Sequence, residues 1–378
     1  MTRRIHLPRA RQTGTYNLAD LRASDQSIAE FGVPNALAVL TALLATYNGQ
    51  MNQSLTALVE YTTERVEAAP IPQGIRMERT DEYGNARTQK AGNSAARGFP
   101  LTSMQVATGW TEHFAKIGTV SAFVQMTEQA QLAHTAIVRE DLARALYNPV
   151  ERPLTETLVL PPYNSANVFS DVKVKPLYNG LDGEVPPVSP SGKVFAGDHN
   201  HYLGSDGLSV SAVDALTNTV GEHSVGNNLI IYINEADAAA FRGLTGFAGN
   251  TVAQVIGPNG TVQTTVNLDV SQTDDRHIGF TAAGIPVHTK PWAIPGYALC
   301  INLNGPRALK MRRPAQAVLQ GLRLKGQEGN TVLQAQTWEA IHGFGASNRG
   351  AAAILHFGPK PNGAPASAYA APALVLED

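Results

Sequence analysis

SMQVATGWTEHFAKIGTVSAFVQMTEQAQLAHTAIVREDLARALY, residues 103–147, is the longest stretch of the chain in which apolar residues return with a helical period. Trp110, Phe114 and Ile117, and later Ile137, Val138, Leu142 and Leu146, recur at the three- and four-residue steps that place side chains on one helix face. Asn148-Pro149 ends the run, because the residue before a proline is pushed out of the helical region. A single helix of that span reaches about 65 Å at ~1.5 Å per residue, far longer than the usual globular helix. Gly109 and Gly118 are the positions where its first part would break. Such a helix serves as a beam better than as the wall of an active site.

Upstream, Pro72–Pro100 is polar and basic, with Arg76, Arg79, Arg87, Lys90 and Arg97 set against Glu78, Asp81 and Glu82. Little of it can be buried. At its centre, Asp81-Glu82-Tyr83-Gly84-Asn85 offers two residues that tolerate positive φ, so a long two-stranded hairpin turning at Gly84-Asn85 is one reading. Arms of about twelve residues reach roughly 40 Å at ~3.3 Å per residue. A lone hairpin of that kind is marginal in water and needs support, such as another subunit. The same composition also fits a disordered surface loop.

Before this stretch, Leu37, Leu40, Leu44, Tyr47, Met51, Leu55, Leu58 and Val59 predict a helix over Pro34–Glu67, with Pro34 in its first turn, Pro70 and Pro72 closing it and Gly49 as a weak point. Beyond the long helix, Leu158–Val194 reads as loops and short strands, among them Asp171–Lys175. A compact α/β unit follows: a helix over Ser209–His223, a strand over Leu229–Asn234 and a helix over Glu235–Leu244. Ser211 with Asp214 suggests a capping box, and Asn234 a cap for the second helix. After a hairpin at Gly257-Pro-Asn-Gly260, strands are expected at Gly284–His288, Tyr297–Leu303, Ala317–Leu324, Val332–Ile341 and Ala351–Phe357. The Pro- and Ala-rich tail, Gly358–Asp378, is expected to be ordered only by neighbouring molecules.

Composition removes several function classes. The 378 residues are 43% hydrophobic, enough for a sizeable core and for two domains or one with large excursions. With 29 basic and 31 acidic residues the formal charge is −2, and a dedicated nucleic-acid binder would carry a clear basic excess. The single cysteine, Cys300, lies in the apolar run Tyr297–Asn302 and reads as a small hydrophobe in a reducing compartment. Arg3, Arg4 and Arg9 are followed by polar sequence rather than a signal core, and no stretch reaches the ~20 apolar residues of a membrane span. A protein made soluble and intracellular is the expectation. The 34 glycines and 23 prolines have no repeat period.

The sharpest candidate for chemistry is Asp198-His199-Asn200-His201, whose composition suits a metal. A third ligand must come from elsewhere, and His223 and Asp206 are available without a recognisable spacing. A structural role, capping or loop hydrogen bonding ahead of the Ser209 helix, is the favoured reading, with no metal and no cofactor expected. There is no Gly-x-Ser-x-Gly elbow, no histidine paired with Cys300 and no phosphate loop, since Gly343-Phe-Gly-Ala-Ser-Asn348 lacks the third glycine and the lysine. The basic group Arg307, Lys310, Arg312, Arg313, Arg323 and Lys325 reads as a solvated face or an intersubunit contact rather than a phosphate site.

The order of parts (apolar arm helix, polar hairpin, very long helix, α/β unit, returning strands) resembles the Hong Kong 97-like major capsid fold of tailed bacteriophages and encapsulins. Similar too are Gly284-Ile-Pro-Val, Pro291-Trp-Ala-Ile-Pro-Gly-Tyr297, Leu319-Gln-Gly-Leu322, Gly343-Phe-Gly and Asn348-Arg-Gly-Ala-Ala-Ala-Ile354. The resemblance covers nearly the whole chain. It implies an α+β fold with an N-terminal arm (1–69), an extended β-hairpin loop (70–101), the spine helix and first part of a peripheral domain (102–195), an axial domain (196–304), and C-terminal peripheral strands and tail (305–378).

The function it implies is a major capsid protein, not an enzyme, that self-assembles into hexamers and pentamers of an icosahedral shell around double-stranded DNA. Expected partners are portal, scaffolding and decoration proteins and DNA bound without sequence specificity, with no membrane; the expected location is the virion, and the host cytoplasm during assembly. Candidate intersubunit contacts are Arg76, Arg79, Glu82, Tyr83, Arg87, Lys90, Arg97, Arg312, Arg313 and Arg349. Only about thirty residues precede the Pro34 helix, so a separate scaffold or none is expected. The type member joins a loop lysine to an asparagine of a neighbour; Lys90 and Asn348 are the counterparts, but no catalytic glutamate can be placed and no crosslink is expected. Other readings are an encapsulin-like compartment shell, a metal-dependent hydrolase using His199 and His201, and a tail or decoration subunit.

Overall fold

Both long amphipathic stretches fold into helices shorter than their periodicity suggests. The computed structural model describes residues 32–68, 96–111, 119–156, 167–224, 228–249, 276–329 and 333–360, with shorter pieces at 79, 82, 84, 226, 255–256, 262–263, 365 and 367–373. Helix α1 (Val33–Leu55) has its proline in the first turn and runs through Gly49 without a break. Strands β1 (Val59–Thr62), β2 (Val66–Ala68), β3 (Ala96–Gly98) and β4 (Thr102–Thr111) separate it from α2 (Val120–Tyr147). Then come β5 (Arg152–Glu156), β6 (Asn167–Val174), β7 (Tyr202–Gly204), α3 (Val210–Gly221), β8 (Leu229–Ile233), α4 (Ala238–Arg242), β9 (Ala248–Gly249), β10 (Val255–Ile256), β11 (Val262–Gln263) and β12 (Arg276–Phe280). Strands β13 (Pro286–Thr289), β14 (Tyr297–Asn302), β15 (Leu309–Arg312), β16 (Arg323–Gly329), β17 (Leu333–Ala346) and β18 (Ala352–His356) complete the order.

The expected helix over 103–147 is therefore two elements. Its first part is β4, paired antiparallel with β17 from Thr102 opposite His342 to Thr111 opposite Leu333. Met104, Val106 and Thr108 are half-buried while Gln105, Ala107 and Gly109 are exposed, a period of two that the cross-strand partner selects over the helical one. Among the described residues of this span only 120–147 is helical, about 42 Å at ~1.5 Å per residue, and Thr119 caps it by accepting a hydrogen bond from Ala122 N. Likewise the expected helix to Glu67 stops at Leu55, because Val59–Thr62 leave it to pair in parallel with Leu309–Arg312 of β15.

Around β17 a five-stranded sheet forms in the order β1-β15-β17-β16, with β4 also on β17. Val39, Leu40 and Leu44 of α1 and Val124 and Ala130 of α2 pack with Trp338 and Ala340 on it. A seven-stranded sheet has the order β7-β18-β14-β8-β13-β12-β9. Its central strands are buried on both faces. Ala298 and Cys300 of β14 and Ala353 and Leu355 of β18 meet Val213, Leu216 and Val220 of α3; Leu299, Ile301 and Ile354 share the opposite cluster with Val138, Leu142 and Leu146 of α2. Each such Leu or Ile stabilises the fold by about 1.5–3 kcal/mol, and burial on both faces explains the unbroken apolar runs in sequence. Cys300 is fully buried as expected, and burial pushes its thiol far above the ordinary range. A four-stranded sheet, β2-β3-β6-β5, completes the set.

Smaller expectations divide. Asn234 caps as expected, its Oδ1 accepting from Ala236 N, but a 3₁₀ turn over Glu235–Asp237 leads into α4, which ends at Arg242. The capping box at Ser211 and Asp214 does not form; Ser209 is the cap, accepting from Ala212 N. The expected strand over Ala317–Leu324 is a 3₁₀ turn, Ala317–Leu319, followed by the start of β16. Strands β10 and β11 pair antiparallel on either side of the expected Gly257–Gly260 turn, whose own residues lie outside the described set. The tail departs most: Tyr369 donates to Tyr147 O at 2.6 Å, and Ala370 O accepts from Tyr297 at 2.6 Å, so the chain itself holds 368–371. Gly204 lets it approach, since a Cβ there would lie 2.3 Å from the Ala368 backbone.

Candidate assembly surfaces and a histidine cluster

Strands β2 and β3 pair antiparallel, Val66 opposite Gly98, Glu67 opposite Arg97 and Ala68 opposite Ala96. The chain thus leaves this sheet at Ala68 and re-enters it beside its point of departure. Of the loop's candidate contacts, Arg79 and Glu82 are exposed; Arg76, Tyr83, Arg87 and Lys90 lie outside the described residues, as do the two arms of the expected hairpin. Gly84 takes φ +72°, the left-handed conformation a turn there requires.

Two expected surface contacts lie inside the subunit instead. Arg349 is 1% exposed and Arg97 2%. Arg349 donates to Glu184 at 2.7 Å, to the Pro176 and Leu177 carbonyls at 2.7 and 3.0 Å, and pairs with Asp182 at 2.8 Å. Arg97 pairs with the other Glu184 oxygen at 2.5 Å, and Lys175 bridges Asp182 to Glu151. Burial alone would push the Asp182 carboxyl up, but Arg349 and Lys175 hold it below its ordinary range. Sequence reasoning read these arginines as surface charge because Asp182 and Glu184 lie in a loop more than 160 residues before Arg349.

The basic group of the last third is also committed within the chain. Arg312 pairs with Glu156 and donates to Phe99 O, Arg313 stacks its guanidinium on Tyr61, and Lys310 reaches Glu67 at 2.7 Å. Arg323 and Lys325 share Glu339; desolvation raises its pKa, but the Ser103 hydrogen bond and the two cations together hold it low, and Arg307 donates to the Thr56 and Leu303 carbonyls. Of the crosslink counterparts, Asn348 donates its amide to Pro306 O at 2.9 Å.

A second group of titratable side chains that converges is made of histidines. His199 and His201 flank the entry to β7, and His223 lies two residues past α3. Their Nε2 atoms form a triangle with sides of 3.0, 2.8 and 2.9 Å. His201 is fully buried with Nδ1 2.6 Å from Ala352 O; burial pulls all three rings below the ordinary histidine range, His223 to about 4. Phe195 stacks on His223 at 4.5 Å, and Tyr178 lies 5.6 Å from His201 and beneath Arg349. Asp206, the other residue available by composition, is not part of the group.

No protein-family model and no curated protein sequence matches the chain. Solved structures do. A chain of the Mycobacterium phage Patience structure aligns over 96% of this chain and 95% of its own length, with 21% identity and a TM-score of 0.61. A capsid of a native GTA particle (13% identity, 83% and 91% covered, TM-score 0.45) and the SrpI encapsulin complex of Synechococcus elongatus (12%, 83% and 89%, TM-score 0.41) are more distant. The class the architecture defines is mixed α and β with a long central helix. In particular, it is the Hong Kong 97-like fold of phage capsid proteins, as the order of parts in the sequence implied.

Proposed function

We propose that this protein is the major capsid protein of a tailed bacteriophage, a shell subunit rather than an enzyme, acting through contacts among many copies. The observation that carries the reading is the end-to-end fold similarity to the phage chain, 96% against 95%. The antiparallel β2–β3 pairing supports it, because it brings Ala68 and Ala96, the two ends of the intervening segment, side by side, as an extended loop lying over a neighbour needs. In this reading 1–69 is the arm, 70–101 the extended loop, 102–195 the spine and first peripheral part, 196–304 the axial domain, and 305–378 the closing peripheral strands and tail. Arg76, Arg79, Glu82, Tyr83, Arg87 and Lys90 of the loop meet an adjacent subunit, and the half-buried Arg312 and Arg313 add to that contact. Arg97 and Arg349 act indirectly, by fixing the loop's base and the β17–β18 turn. Single polar contacts contribute about 0–1 kcal/mol, so stability comes from their sum over a closed symmetric shell. Packaged double-stranded DNA is held without base reading, with portal, scaffolding and decoration proteins as partners, in the host cytoplasm during assembly and in the virion afterwards.

Negative-stain electron microscopy and size-exclusion chromatography, on the protein expressed alone and with its neighbouring genes, test this. Closed shells or hexamer-sized rings are expected. A well-behaved monomer or dimer under both conditions overturns the reading.

A further inference from the structure

The Nε2 triangle of His199, His201 and His223 has no satisfactory proton arrangement. The Ala352 carbonyl only accepts, so His201 Nδ1, at 2.6 Å, carries a hydrogen, and in the neutral ring Nε2 is then a bare lone pair. If His199 and His223 both donate to that lone pair, two N–H groups face each other across 2.8 Å. If either gives up its hydrogen, two lone pairs face each other instead. No set of neutral tautomers makes all three contacts favourable, and His201 sits where water does not reach it.

A cation at the centre resolves the conflict, because it accepts three lone pairs at once. Three imidazole nitrogens each ~2.1 Å from one ion lie about 3.0 Å apart at right angles and about 3.4 Å apart in a tetrahedron. The observed 2.8–3.0 Å is the right-angled spacing, and a few tenths of an ångström of opening reaches the other. The hydrogen bond from His201 to Ala352 is the outer contact that fixes a ligand's tautomer and aims Nε2 inward. Phe195 and Tyr178 hold the rings in place, and Gly350 makes room, since a Cβ there would lie 3.0 Å from His223 Cγ. Glu222, tethered by Lys193, puts a carboxylate oxygen 3.5 Å from His199 Nε2 at the rim.

We propose that His199, His201 and His223 form a binding site for one divalent transition-metal ion of the imidazole-preferring class, such as zinc. The ion is structural. It ties the strand entry at 199–201, and through Ala352 the edge of β18, to the end of α3. The inference is independent of the capsid reading, since a fold of any function could carry it.

The test loads metal-stripped full-length protein with zinc, removes excess by dialysis, and counts bound zinc by elemental analysis beside a thermal melt. About one ion per chain and a midpoint raised by at least about 2 °C are expected. Cobalt(II) should give visible d–d bands characteristic of nitrogen ligation. The variants His199→Gln and His223→Ala should each reduce retained zinc at least about tenfold and erase the bands; because His199 is part-exposed, its variant is suited to survive folding should His223→Ala fail. Wild-type protein that retains no zinc after dialysis overturns the proposal, as does a folded His199→Gln variant that holds as much zinc as wild type.

Discussion

At the residue scale, charge is buried where the subunit's segments meet. Arg349 shares Asp182 with Lys175 and Glu184 with Arg97, carboxylates 4% and 8% exposed, so truncating it takes one of two cations from each and leaves the Pro176 and Leu177 carbonyls without their buried donor. Arg349→Ala is expected to lower stability of the unassembled subunit by about 3–5 kcal/mol, against less than about 1 kcal/mol for Arg313→Ala, whose guanidinium lies on a partly exposed Tyr61. Urea unfolding of both variants measures the contrast. A second prediction concerns pH. His134 is 6% exposed, its Nδ1 2.9 Å from the Tyr47 hydroxyl, and burial with His342 nearby lowers its pKa to about 4. The unfolded ring titrates near ~6.5, so the unfolded chain binds the extra proton first as pH falls. Stability from this residue is complete above about pH 6.5, declines as pH drops and levels off below about 4. Between pH 7 and 4.5 the loss is about 2 kcal/mol, and His134→Gln should remove that share of the decline in urea midpoint while other buried histidines supply the rest.

At the element scale, glycine separates positions where the backbone needs room from positions where it does not. Gly49 is exposed within α1 with nothing near its missing Cβ, and Gly49→Ala should stabilise the subunit by about 0.5–1 kcal/mol. Gly343 lies in β17 where a Cβ would meet Pro100 O at 2.3 Å, so Gly343→Ala should destabilise by about 1–3 kcal/mol. Paired thermal melts report the opposite signs. Which elements were legible in the sequence follows from the same contrast between local and distant causes. Strands β14 and β18 were readable because burial on both faces leaves continuous apolar runs. Strand β4 was not, since Met104, Val106 and Trp110 fit a helical repeat as well as an alternation, and only a partner more than 220 residues away decides between them. Residues 59–62 were misassigned for the same reason, their partner being β15. Of the histidine cluster, His199 and His201 stood together in sequence, but His223 is brought in by the length of α3, which no spacing rule for metal ligands encodes.

At the scale of the whole molecule, folding and assembly draw on different parts of the chain. The core clusters join α1, α2, α3 and the two large sheets without any described residue between 69 and 95. Because Ala68 and Ala96 are already cross-strand partners, a tight turn can close the gap and leave β2 and β3 in register. Replacing residues 74–92 with a short Gly-Ser connection should therefore keep the thermal midpoint of the unassembled subunit within about 2 °C of wild type, because none of the segment's described residues belongs to a core cluster and shortening a connection changes closure entropy by only about 1 kcal/mol. If the loop supplies intersubunit contacts, the same variant should form no closed particles, or particles that dissociate at lower denaturant, when compared by electron microscopy and size exclusion at equal concentration. Loss of subunit folding in the shortened chain would instead make the loop part of the core, and particles of unchanged resistance would show that the shell is held by contacts elsewhere.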